Sequence, residues 1–194
     1  MSEQMKAEDV VPAYLDGDMK TVLTSKQASL INDLKVQLSI DENKFCDPII
    51  KLLIRLGYKP QRRKKSTFVI DFIKHGRIII KFEIGHGSQL KFWIRYSACA
   101  SYPAIFQNAA NLRNNAWVKQ GKYWTNHDIN NCCGLCNSKP SLYHVLNDDG
   151  TTVYTCGGFT KHVPGITFED VPDVLLMVKE QDYYFNEAFV LRED

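Results

Sequence analysis

The chain of 194 residues holds no glycine-rich nucleotide loop, no nucleophile elbow and no metalloprotease helix. None of the short motifs that announce phosphoryl transfer, acyl transfer or zinc hydrolysis is therefore present. No trio of Ser, His and acid and no paired carboxylates can be argued from spacing, so no catalytic residue is assigned. Charge of one sign is lacking as well: 24 Lys and Arg against 22 Asp and Glu leave a formal charge of +2. That excludes a global electrostatic footprint for nucleic acid or acidic membrane and leaves only local patches. No segment approaches the roughly 20 apolar residues of a membrane span, and residues 1–20 hold no stretch suited to a secretion signal. A cytoplasmic protein is the expectation. Repeats, low-complexity tracts and linkers are also missing, which predicts one domain over 23–194 behind a weakly structured arm at 1–22.

What is present begins with an ordinary globular composition, 44% hydrophobic and 24% charged, enough for one well-buried core. From Thr24 to Leu38, the residues Ala28, Ile31, Leu34 and Leu38 recur at spacings of three and four. This predicts an amphipathic helix capped by Thr24 or Ser25. A second helix is predicted from an Asp41 cap to Gly57, with Phe45, Ile49, Leu52, Leu53 and Leu56 as its apolar stripe. The period then changes to two. Residues 67–74, 77–84 and 89–97 are rich in β-branched and aromatic side chains and are separated by short turns, which predicts a three-stranded meander. Leu90, Phe92, Ile94 and Tyr96 would face inward under covering helices, and Lys91, Trp93 and Arg95 outward. A third helix is expected from Ser101 and Pro103 to Asn114, and a closing one from Val171 to Phe189 behind Asp170. Together these make an α+β fold: an antiparallel meander covered by helices, with a knuckle and hairpin before the C-terminal helix.

The densest chemistry is a thiol cluster. Cys132, Cys133 and Cys136 precede two β-like runs, Leu142 to Leu146 and Thr151 to Cys156, joined across Asp149-Gly150. A two-residue turn there would set Cys156 opposite Tyr143. This is the order of parts in a zinc knuckle followed by a ribbon, and the glycines 134, 157 and 158 free backbone N–H groups to turn toward thiolate sulfur. The expected ligands of a structural Zn2+ are Cys133, Cys136 and Cys156, with Cys132 or His162 as the fourth and His144 behind them. Four protein ligands would close the site to water, leaving it structural. The alternatives are a thiol-disulfide oxidoreductase or redox sensor using Cys133 and Cys136, and thiols that simply pack, as expected for Cys46 and Cys99.

A basic run, Lys59, Arg62, Arg63, Lys64 and Lys65, joins the second helix to the first strand and could hold a few phosphates. Nucleic-acid binding through this run is the third reading, set against a solvated loop, because no aromatics are interleaved with it. Trp93, Trp117, Tyr123 and Trp124 are candidates for a ligand groove, with core packing as the simpler role. His75 and His86 are expected in hairpin turns facing water.

From Lys91 to Phe185 the chain resembles an uncharacterised family of small bacterial proteins. The resemblance rests on Tyr96-Ser97, Cys133-Gly134-Leu135-Cys136, Tyr143 with Asp149-Gly150, Cys156-Gly157-Gly158 and the run Lys179 to Phe185. It implies a bacterial, intracellular setting and a thiol motif that belongs with the ribbon; it implies no activity.

Overall fold

The computed structural model describes residues 23–85, 87, 89–95, 142–146, 152–156 and 160–190, of which 142–146, 152–156, 161 and 187–190 are described by their backbone alone. The expected arm at 1–22 and the expected helix at 101–114 lie outside the described residues.

Helix α1 spans Ser25–Lys35 behind a Thr24 N-cap, with a reciprocal bond between the Gln27 side chain and the Thr24 N–H. Two of its four expected stripe residues, Ile31 and Leu34, are buried on the helix and Leu38 just beyond it, but Ala28 is exposed. Ala28 sits off the line through Leu30, Ile31 and Leu34, and those three set the direction in which the helix docks. Helix α2 spans Ile40–Arg55. Its cap is Ser39, not Asp41: the Ser39 hydroxyl accepts the Glu42 N–H while the Glu42 carboxylate accepts the Ser39 N–H. A Ser with Glu three residues on satisfies two orphan donors at once, which a lone Asp at the next turn position cannot do. At the other end Gly57 takes φ +90°, and the N–H groups of Gly57 and Tyr58 reach the carbonyls of Ile54 and Leu53. This is a Schellman stop, and it turns the chain directly into the first strand.

The sheet is larger than a three-stranded meander. Strands β1 (Lys59–Arg62), β2 (Phe68–Lys74), β3 (Arg77–Ile84), β4 (Leu90–Arg95) and β7 (Thr160–Val163) pair antiparallel in the order β1-β2-β3-β4-β7. The two added strands are four residues each and polar, so they carry no period-two signal in the sequence. They are held by the ladder and not by their own pattern. A separate hairpin pairs β5 (Leu142–Leu146) with β6 (Thr152–Cys156). A 3-10 turn, Phe168–Asp170, leads into helix α3, Val171–Val190. The Asp170 carboxylate, expected as the helix cap, turns back to the Thr167 N–H at 2.8 Å and locks that turn.

One face of the sheet forms the core. Ile70, Phe82, Phe92 and Val163 stand side by side across β2, β3, β4 and β7, and α2 sets Phe45 edge-on to Phe92 with ring centroids 5.2 Å apart. Phe72 and Phe82 meet in the same edge-to-face manner, the arrangement favoured by the ring quadrupole. Val174, Leu175 and Val178 of α3 close the layer. A bulge in β3 opposite Phe72 puts the consecutive residues Ile79 and Ile80 into the same core, as expected where an extra residue breaks the alternation.

Candidate functional site

The opposite face carries the polar chemistry. The pairing register aligns Gln61, Asp71, Lys81, Trp93 and His162 in one row across all five strands of the main sheet. Trp93 is on the outward register, as its alternation predicts, yet the middle of this face is not open: Asp71 is only 4% and Lys81 only 9% exposed.

Four members of the row have a definite neighbour. Arg63, one residue past β1, binds Asp71 through Nε and Oδ2 at 2.6 Å. Lys81 lies with Nζ 4.8 Å from the Trp93 ring centroid, and the Trp93 and His162 rings are 5.1 Å apart at 41°. The Trp93 face thus gives the Lys81 ammonium a cation–π contact on an otherwise largely buried side chain. Burial pushes its pKa below the ordinary lysine value, with Asp71 opposing and Arg63 and Lys65 assisting the shift. Burial, with Lys91 nearby, also lowers the pKa of His162, and Glu83 opposes this; the neutral imidazole is the form that can ligate a metal. Asp71 Oδ1 and Trp93 Nε1 are buried and meet no hydrogen-bonding group of the described residues.

The basic run divides under this geometry. Lys59 and Arg62 belong to edge strand β1, Arg63 is committed to Asp71, and the Arg62 guanidinium lies 3.7 Å over the Phe68 ring. Lys64 and Lys65 remain exposed in the connection to β2. This run is part strand and part loop.

Of the expected metal ligands, Cys156 is the last residue of β6 and His162 lies in β7, while His144 lies in β5. Cys132, Cys133 and Cys136 lie outside the described residues, as do Cys99, His86, Trp117, Tyr123 and Trp124. Cys156 pairs with Leu142, not with the expected Tyr143. Five residues separate the paired Leu146 and Thr152 in the chain, an odd number where a two-residue turn at Asp149-Gly150 requires an even one, and this moves the register by one. Cys46 is buried in α2, where burial, then Glu42 and Asp47, hold its thiol well above the ordinary range; such a thiol is inert. Among the described residues no three His, Cys, Asp or Glu side chains come together as a metal site. No described helix is long and apolar enough to cross a membrane.

The signal that sequence reasoning missed is the cross-strand row. Asp71 and Lys81 are ten residues apart and Trp93 and His162 sixty-nine, so only the register makes them neighbours. Compared with protein-family models, with curated proteins and with solved structures, the chain shows no match.

Proposed function

We propose that the protein is a binding or regulatory module in which the segment 131–162 holds one structural Zn2+ through Cys133, Cys136 and Cys156, with Cys132 or His162 as the fourth ligand. One observation supports the reading. Cys156 ends β6 at the open end of its hairpin, paired with Leu142, and Cys136 is only six residues ahead of Leu142 in the chain. A single turn between them would return the Cys133-x-x-Cys136 pair to Cys156. Thiolate and imidazole donors suit Zn2+, and a site closed by four protein ligands organises a surface without activating water. The strand that follows, β7, begins four residues after Cys156 and pairs with β4, so the metal would tie the hairpin to the edge of the sheet beside Trp93 and His162.

Elemental analysis of protein purified without chelator or metal-affinity tag, with thiols titrated before and after unfolding, tests this reading. About one zinc per chain with shielded thiols is expected. Replacement by Co2+ then reads the donor set, because four thiolates and three thiolates with an imidazole absorb differently, and Cys132→Ser or His162→Asn removes the true fourth ligand. Absence of metal, together with a reactive Cys133 and Cys136 pair or a disulfide, would replace this reading with the thiol-disulfide one.

A further inference from the structure

On the core side of the sheet's β1 edge, a cleft of about 790 Å3 opens between α1 and β1, within the roughly 300–1,000 Å3 of ligand sites. Leu30, Pro60 and Phe68 supply apolar lining, and Lys26 and Arg62 supply charge from the two walls, opposed by Asp33. Neither Lys26 nor Arg62 has a carboxylate within ion-pair reach among the described residues. The Arg62 guanidinium carbon lies 3.7 Å from the Phe68 ring centroid, and the planar fork of a guanidinium can receive a carboxylate in two parallel bonds.

The backbone of β1 adds a second recognition element. Arg63 donates its N–H to the Val69 carbonyl at 3.0 Å, so the 63/69 pair is a hydrogen-bonded one. Strict alternation in an antiparallel ladder then makes Gln61 and Lys59 the next bonded positions and leaves Pro60 and Arg62 at non-bonded ones. The Pro60 carbonyl and the Arg62 N–H and carbonyl therefore point away from β2, toward the side where no described strand pairs. Pro60 stands where its missing N–H costs the ladder nothing. It also limits a partner strand to one register, since only Arg62 donates.

We propose that this cleft binds an acidic peptide segment in extended conformation, hydrogen-bonded to Pro60 and Arg62 and with carboxylates on Lys26 and Arg62. Strand addition beside a helix supplies affinity through the main chain and selectivity through alternate side chains. A nucleic acid fits less well, because the one aromatic ring of the lining, Phe68, is already engaged by Arg62 and a strand edge offers main-chain groups to a peptide instead of successive stacking platforms to bases.

The test is titration of the isotope-labelled full chain with a blocked Asp-Val-Glu-Ile-Asp-Val peptide at low salt, following backbone amide resonances. The expected result is saturable binding that shifts Leu30, Gln61 and Arg62 and weakens as salt rises. Lys26→Glu and Arg62→Glu are each expected to weaken it at least about tenfold, while Lys51→Glu on the exposed side of α2 leaves it unchanged. Lys26→Glu changes an exposed helix position, so its reading stands even where the Arg62 variant disturbs folding. The proposal is overturned by an absence of shifts, by equal binding of the peptide with lysines in place of its acids, or by a decathymidylate that takes the same amides more tightly. A concentration-dependent shift of those amides without peptide would overturn it in favour of a second copy of the chain.

Discussion

Glu42 and Leu90 are 48 residues apart and share a hydrogen bond of 3.0 Å, from the Leu90 N–H to Glu42 Oε1, while Oε2 of the same carboxylate accepts the Ser39 N–H at 2.8 Å. One side chain thus caps helix α2 and fastens the start of β4 to it. Burial alone would raise the Glu42 pKa, but the bonds from Ser39 and Leu90 outweigh it and hold the carboxyl below its ordinary value of 4.5.

Removing that double role should cost more than removing a cap. Ser39→Ala is expected to lower the unfolding free energy by about 1 kcal/mol and Glu42→Ala by about 2 kcal/mol in urea titrations. Because the folded pKa is depressed, the carboxylate's contribution is complete above 4.5 and is lost as pH falls through the lower folded value. The gap between wild type and Glu42→Gln should therefore narrow in acid; a gap that widened there would contradict the assignment.

At the far end of the sheet, Lys74 Nζ meets Asp182 Oδ1 at 2.7 Å, with both side chains largely buried, and Asn186 donates to the other carboxylate oxygen. Asp182→Ala strands a buried ammonium and is expected to cost on the order of 3 kcal/mol. The double variant Lys74→Met with Asp182→Leu should recover most of that loss. A double variant no more stable than either single one would show that the pair does not act as a unit.

Lys81 is the opposite case, a charge that the fold tolerates at a cost. Its pKa is lowered by burial, so the folded state gives up its proton before the unfolded chain does, and stability rises with pH from the folded value up to the ordinary 10.5. Lys81→Met is expected to raise the unfolding free energy by on the order of 1 kcal/mol near neutral pH. That advantage should shrink toward pH 10, as thermal melts across the pH range will report.

The β2–β3 turn places His75 at φ +49° and Gly76 at φ +70°, the left-handed pair of a type I′ hairpin. Asn is more at ease than His in that region, so His75→Asn is expected to gain about 0.5 kcal/mol. A Cβ added at Gly76 meets nothing within 4 Å, so the cost of Gly76→Ala, about 1 kcal/mol, is backbone strain alone. Denaturant midpoints of the two variants should move in opposite directions.

Elements with a strong period were legible in the chain itself. The stripe of α2 from Phe45 to Leu53, the strands at 68–74 and 77–84, the His75-Gly76 turn and the inward Phe92 and Ile94 all follow from local spacing, which a folded chain must satisfy to bury its apolar atoms. Lys59–Arg62 and Thr160–Val163 were illegible as strands, because a short polar edge strand is stabilised by its neighbour's hydrogen bonds and by little of its own. The hairpin was readable at 142–156, but its register was not, since loop length depends on how the strands meet.

For the candidate site, the sequence by itself determined the inventory: the clustered cysteines, a Trp on the outward register and a basic run after α2. Only the tertiary structure decided the neighbours. It joined Arg63 to Asp71 and stood Lys81 on Trp93 and Trp93 beside His162, contacts that β-pairing creates between residues distant in the chain. It also set Arg62 on Phe68 at the mouth of a cleft. Periodicity records which way a side chain points relative to its own strand or helix, whereas the identity of what it meets there depends on strand order and register, which are properties of the whole fold.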